Sequence, residues 1–410
     1  MKTNPHTPPR WAEYLLELFI PLHRLEALQG DLYELFHKRL TEGGPQRARL
    51  LFARDVLQML RPQLWRSGPD QGPRASGFNL LGHYLTVALR NLRRGRFYAA
   101  LNATGLAVGL ATGLLIGLYV LHELSYDRYH RKSDRTYRIV AKGRMEGSPL
   151  HFPVMGPSVA RDLRHDYPEI REATRLWPIK DAFFSVGAHA FREPRFARVD
   201  SNFFSVFTLP FVQGDAARAL AEPNTLVVTE AIARKYFPGR NPVGQVLRLG
   251  PARKPLRVTG VIREMPTHSH FHFDLLASLA GEPETKGTSW MSDLHFLVYL
   301  VLDEDADYRR LEAKMPEVVE KYMGPDLQRM MGVSLAEFRR KGNDIGFELQ
   351  PLTDIHLHSN LQLELEPNGD VRYVYLFSAV ALFVLVIAGI SFTNLATARA
   401  AARAREVGVR

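Results

Sequence analysis

Phe97–Leu121 reads FYAALNATGLAVGLATGLLIGLYVL and carries no formal charge. As a helix rising about 1.5 Å per residue, it outreaches the ~30 Å hydrocarbon core of a bilayer. A second uncharged run of similar length, Tyr373–Ala398, reads YVYLFSAVALFVLVIAGISFTNLATA. The two runs predict transmembrane helices over 97–121 and 373–398. The competing reading, a buried helix of a soluble protein, does not suit two stretches this long without a charge.

Orientation follows from basic residues near the ends. Arg90, Arg93, Arg94 and Arg96 precede the first run, and Arg399, Arg403, Arg405 and Arg410 follow the second. The inner flanks mix signs: Glu123, Asp127, Arg128 and Arg131 on one side, Glu364, Glu366, Asp370 and Arg372 on the other. Both termini are therefore expected in the cytoplasm, with residues 122–372 outside it. The net charge of +10 is distributed accordingly. Lys/Arg exceed Asp/Glu by 15 to 8 up to Leu121 and by 4 to 1 from Tyr373, and balance at 34 to 34 between. A nucleic-acid domain would gather its excess on a folded face, so that class is set aside. The chain has no cysteine, which excludes disulfides, thiolate metal sites and cysteine nucleophiles.

Gly105, Gly109, Gly113 and Gly117 recur every fourth residue of the first run. On a helix they share nearly one face, and small residues at that spacing let a second helix approach closely. Ahead of this run, Met1–Pro62 reads as a small helical unit. Trp11, Leu15, Leu18 and Phe19 form one stripe, and Leu25, Leu28, Leu32, Leu35 and Phe36 another. Pro21 and Gly43-Gly44-Pro45 punctuate the helices, the third running over 46–60. Residues 67–79 read as a Pro/Gly-rich linker. Residues 80–96 read as a basic amphipathic helix on the inner membrane surface.

Residues 122–372 read as α+β. Strands are expected at Tyr137–Ala141, Ala182–Val186, Thr225–Val228, Leu256–Val261, Phe296–Val301 and Phe347–Leu352. Helices are expected at Gly156–Asp166, Glu230–Tyr236, Arg309–Tyr322 and Ser334–Arg340. SNFFSVFTLPF (Ser201–Phe211) reads as core. No phosphate-binding GxxxxGK[ST] or GxGxxG motif is present, so no nucleotide site is expected in this chain. No Ser/His/acid arrangement stands out.

His268, His270 and His272 alternate in THSHFHFD, and His356 and His358 repeat the spacing in DIHLHS. On a strand such histidines share a face and could hold zinc or copper. The plainer reading is a strand with Phe271 and Phe273 in the core. It is the one adopted: no metal and no cofactor.

Several stretches together resemble ABC transporter permeases of the MacB/FtsX type, in the branch common in Bacteroidetes. They are ALRNLRRGRFYAALNATGLAVGL, ELSYDRYHRKSDRTYRI, VDSNFFSVFTLPFVQGD, LVVTEAIARKYFPGRNPVGQVL, PTHSHFHFD, PLTDIHLHS and NLATARAAARAREVGVR. Residues 1–66, with PPRWAEYLLELFIP and EALQGDLYELFHKRL, resemble the helical prefix domain of some such permeases. The resemblance implies an α+β membrane protein: a small helical domain, then two transmembrane helices flanking a mixed MacB-like periplasmic core domain over 122–372. It implies a bacterial inner membrane location, no enzyme activity in this chain, a separate ABC ATPase subunit, a permease dimer, and a periplasmic or outer-membrane partner. By motif match, Arg399, Arg403, Arg405, Glu406, Gly408 and Arg410 would form a coupling segment (399–410) touching the ATPase. The histidine segment looks structural by the same match. The family carries further spans beyond this point, so a chain ending at Arg410 is expected to be part of a longer permease. The function implied is export or mechanotransmission. The competing class is a two-span sensor with a periplasmic ligand-binding domain, which predicts a cytoplasmic output module instead of more spans.

Overall fold

The computed structural model describes residues 7–19, 22–59, 96–187 and 189–408. The linker expected over 67–79 and, apart from Arg96, the amphipathic helix expected over 80–96 lie outside them.

The N-terminal unit consists of helices Arg10–Phe19, Leu22–Gly43 and Pro45–Met59. Gly44, at φ +77, turns the chain, and Pro45 opens the next helix with its φ already set. Ala12, Leu16, Leu32, Phe36, Ala48, Phe52 and Val56 form its core, with Phe36 edge-on to Phe52 at 5.6 Å. The stripe expected through Trp11 is corrected. Trp11 is 53% exposed, whereas Ala12 and Leu16 are buried. Small alanines at 12 and 48 suit the close crossing of short helices better than an indole would.

Two long helices, Arg96–Leu124 and Val371–Gly408, bound the larger unit. Their apolar windows are Ala100–Leu124 and Val371–Asn394, of which only 11% and 17% are buried. Leu114, Leu115, Leu118, Phe383 and Ile387 are each more than 60% exposed. A core helix of a soluble protein would bury these side chains, so a surrounding of hydrocarbon is required. The helices pack antiparallel: Tyr119 meets Phe377 edge-on at 5.4 Å, Gly113 faces Leu385, and Gly109 faces Ala388. A Cβ on Gly109 would lie 3.0 Å from the Ala388 Cβ, and one on Gly113 2.8 Å from Leu385 Cδ2. A Cβ on Gly105 or Gly117 would meet nothing within 4 Å. Two of the four glycines thus receive the second helix, and the other two face open space.

Between the helices lies a mixed sheet of fourteen strands. They are β1 (Thr136–Met145), β2 (Ser148–Phe152), β3 (Val154–Met155), β4 (Ile170–Ile179), β5 (Ala182–Val186), β6 (His189–Glu193) and β7 (Phe196–Val199). There follow β8 (Phe211–Gln213), β9 (Thr225–Thr229), β10 (Val246–Leu249), β11 (Lys254–Ile262), β12 (Leu275–Ser278), β13 (Phe296–Leu302) and β14 (Asp344–Pro351). The order is β14-β1-β13-β4-β7-β12-β9-β11-β10-β5-β6, with β2, β3 and β8 attached at the side of β1, β13 and β11. The pairs β9/β11 and β7/β12 are parallel.

Alternation along the strands divides the core. In β13, Phe296, Val298 and Leu300 enter one cluster, and Leu297, Tyr299 and Val301 enter another on the opposite face. Both faces are covered, which is why FLVYLVL is apolar throughout. In β9 and β12, Val227 and Leu276 share the second cluster, while Leu226, Val228, Leu275 and Ala277 enter a third. One face of the sheet is therefore a continuous floor, and the other carries two lobes. The floor is the face on which Tyr129, Ile355 and Leu365 pack, from the segments nearest the long helices.

The helix expected over Arg309–Tyr322 is corrected. It stops at Glu312 and restarts at Met315, with Pro316 in the first turn, where its missing N–H costs nothing. A π-helical turn, Val319–Met323, then carries it into Gly324–Met331.

Because the chain has no cysteine, introduced pairs report packing without background. Cysteines at Tyr119 and Phe377 should be joined by a short bismaleimide, and adding Gly109→Leu should reduce the yield several-fold. Gly117→Leu should leave it unchanged. Equal losses from the two glycines would contradict the packing described.

Candidate functional site

The chain leaves the first long helix through Ser125-Tyr126-Asp127-Arg128-Tyr129-His130. The helix end is closed locally. Ser125 Oγ donates to the His122 carbonyl at 2.7 Å, and Arg128 Nε donates to the Leu124 carbonyl at 2.8 Å, a cation at a helix C-terminus. Asp127 then takes a left-handed conformation, φ +58, which Asp tolerates better than most residues. This turns its carboxylate into the domain, where it is fully buried.

Asp127 organises the loop that holds three of the histidines. Its N–H donates to the His268 carbonyl at 2.9 Å, and its Oδ1 accepts the His270 N–H at 3.2 Å. His270 Nδ1 lies 2.9 Å from the same oxygen, a close ion-pair distance without hydrogen-bond alignment. His270 Nε2 reaches Tyr299 Oη at 2.8 Å. His130, also buried, accepts the Thr208 N–H on Nδ1 at 3.0 Å and turns Nε2 to within 3.8 Å of Asp127. Burial by itself would raise the Asp127 carboxyl pKa, but the nearby His270 imidazole charge and the His270 backbone N–H outweigh it and hold it below the ordinary range. Burial pushes His130 down to about 3, so its ring is neutral.

A second link ties the first helix to the turn around His356. Glu123 Oε2 lies 2.9 Å from His356 Nε2, and the Tyr126 ring stacks on His356 at 3.3 Å. Gly369, two residues before the second long helix, closes over this pair; a Cβ there would lie 2.9 Å from both Glu123 Oε2 and His356 Nε2. A third link runs from His272, whose Nδ1 faces Glu366 Oε2 and whose Nε2 faces the Pro266 carbonyl, both at 2.9 Å. The hydrogen bond to Glu366 raises the His272 pKa.

The fourth link was missed by sequence reading. Arg138 on β1 is fully buried and grips both oxygens of Glu364 at 2.8 Å, with further bonds to Gln350 and Ser359. The signal was an arginine amid the apolar residues of Tyr137–Ala141, on the strand face opposite Tyr137 and Ile139.

The strand expected for His268–His272 is corrected: the segment is a loop, and His356 and His358 lie in a helical turn, Ile355–His358. Pro266 removes a ladder donor, and Asp127 engages the His268 carbonyl and His270 amide that a neighbouring strand would have taken. No common histidine face results. His270, His272 and His356 instead face carboxylates, and His268 sits edge-on to the rings of His122 and Tyr129. His358 is exposed. Phe203, Phe207 and Leu209 are core residues, as read. Arg399, Arg403, Arg405, Glu406 and Gly408 lie on helical backbone continuous with the second long helix, and Arg410 lies outside the described residues.

The geometry can do one thing well: it fixes both helix ends to one rigid floor by acid–base pairs. The family model that matches, the MacB-like periplasmic core domain, covers residues 99–318. Similar solved structures include a domain of a protein described as a permease from Porphyromonas gingivalis, at 20% identity and TM-score 0.47, covering 60% of this chain and 98% of that one. The periplasmic region of MacB from Actinobacillus actinomycetemcomitans is similar at 17% identity and TM-score 0.34, covering 54% and 91%. The extracellular domain of the noncanonic ABC-type transporter YknZ from Gram-positive bacteria follows at 11% and 0.32, covering 52% and 99%. No curated protein matches.

Two outcomes test the joint. Glu364→Gln leaves the buried Arg138 charge uncompensated and should cost about 3–5 kcal/mol in thermal unfolding of the detergent-solubilised chain; a loss below ~1 kcal/mol would contradict the buried pair. His130 has a folded pKa below its unfolded value of about 6.5, so the unfolded chain binds the extra proton between pH 6.5 and 3. Its contribution is full above about pH 6.5 and is lost as pH falls toward 3. His130→Asn keeps an acceptor for the Thr208 N–H, and its melting temperature should fall less steeply between pH 6 and 4. Parallel slopes would contradict this.

Proposed function

The chain belongs to the family that carries a MacB-like periplasmic core domain, a permease-type protein of ABC transporters, and from that premise we propose that it is the membrane half of an ATP-driven machine. An ATPase on a separate chain closes on ATP beneath the membrane. The segment 399–410, with Arg399, Arg403, Arg405, Glu406, Gly408 and Arg410, receives that motion. The two helices carry it to the domain between them, which lies in the periplasm of a bacterial inner membrane, and the domain displaces a substrate or acts on a periplasmic or outer-membrane partner.

The observation that carries this reading is the joint. Motion of the first helix reaches the sheet floor through Asp127 and reaches the foot of the second helix through Glu123, His356 and Gly369. Transmission as a rigid-body shift requires stiff, close-packed contacts, and buried charge pairs over a packed floor supply stiffness. Two features support the cytoplasmic half. The second helix continues from Asn394 to Gly408, about 20 Å beyond its apolar window. The basic excess also lies on the outer flanks. Gly105 and Gly117, open within this chain, suit a second permease copy in a dimer.

The test is purification from native membranes. An ATPase subunit should co-purify, the charge reversal Arg403→Glu should release it, and the chain by itself should hydrolyse no ATP. Hydrolysis by the isolated chain, or no ATPase retained by the unaltered one, would contradict the division of labour.

A further inference from the structure

Among the described histidines of the joint, His272 alone has both ring nitrogens facing atoms that can only accept. Nδ1 lies 2.9 Å from the Glu366 carboxylate, and Nε2 lies 2.9 Å from the Pro266 carbonyl. A neutral imidazole has one N–H and one lone pair. It can make either bond but must then turn a lone pair toward the other oxygen. Both bonds form only when the ring carries two protons. Its neighbours differ. His130 accepts the Thr208 N–H, and His270 meets the Tyr299 hydroxyl, which can donate or accept.

The charges around the ring favour the second proton. The hydrogen bond and charge of Glu366 outweigh both burial and the opposing Arg195, which gives its Nε to Asp274, and the His272 pKa rises. Glu364, Lys180 and His295 line the same cavity, and Glu364 is held by Arg138. The pair is partly open, with the His272 side chain 21% and the Glu366 side chain 37% exposed, so protons exchange with the medium without opening the core.

Position gives the pair its consequence. The linker before the second long helix has two anchors of different kind. Glu364 is gripped by Arg138, whose guanidinium does not lose its charge. Glu366 is gripped by His272, whose imidazolium can. Beyond Glu366 the chain reaches Gly369, over the Glu123–His356 pair, and then the helix itself at Val371.

We propose that His272 and Glu366 form a proton-operated latch: with two protons the imidazole holds the linker against the histidine loop, and on losing one it releases residues 365–370 while Glu364 stays fixed. The folded His272 pKa lies above the unfolded value of about 6.5. The latch is therefore fully closed below about pH 6.5 and opens as pH rises through the folded pKa. It requires no ATPase partner.

The test uses the full chain in nanodiscs of zwitterionic lipid, with a nitroxide on Pro367→Cys, an exposed position beside Glu366. Its mobile fraction should at least double between pH 6.0 and 8.5, while a label on Ala217→Cys, exposed elsewhere in the domain, should not respond. His272→Ala should be mobile at both pH values. Glu366→Gln offers an amide N–H to Nδ1, so a neutral ring can make both bonds, and the label should stay restrained at pH 8.5. Histidine-labelled NMR supplies a second readout: the His272 midpoint should fall in Glu366→Gln. No pH response in the unaltered linker, the same response in Glu366→Gln, or an unchanged His272 midpoint would overturn the proposal.

Discussion

An uncharged helix of this length has hydrocarbon as its stable surrounding, and the two here pack antiparallel, so the chain enters and leaves the folded domain on one side. Every polar group that fixes domain to helices must then sit in the few residues just outside each apolar window. That constraint accounts for the density of buried charge there. Glu123, Asp127, His270, His356, Arg138 and Glu364 all lie within those segments or directly against them. Elsewhere in the larger unit three apolar clusters are layered on a single sheet, and buried charge recurs at the Arg198–Glu282 pair, Glu193 and Asp326.

Such pairs are poor sources of stability, since desolvation offsets most of their attraction. Their use is geometric. A bidentate arginine and a stacked imidazole allow one arrangement each, and a helix end held this way cannot tilt without breaking a named contact.

Much of this was legible from sequence. Charge-free length identified both spans, and alternation or apolar runs located the strands: Ala182–Val186 and Glu230–Tyr236 coincide with their elements. The histidine segment misled because period-two spacing is also what a loop shows when its backbone partners come from a side chain, here Asp127, 141 residues earlier than His268. Arg138 was legible only as an anomaly, a charge in an apolar strand whose partner Glu364 lies far along the chain. The Trp11 stripe failed because hydrophobicity ranked an indole above an alanine, whereas helix packing favours the smaller residue. Local pattern carries periodicity; it does not carry long-range pairing.

The most direct test is of sidedness, and the absence of native cysteine makes it clean. Single cysteines are introduced at Ala217, exposed in the domain between the helices, and at Glu42, exposed in the N-terminal unit. Each is treated with a membrane-impermeant maleimide on intact spheroplasts. The account predicts labelling at 217 before lysis and at 42 only after it. Labelling at 42 in intact spheroplasts, or protection of 217 until lysis, would contradict it.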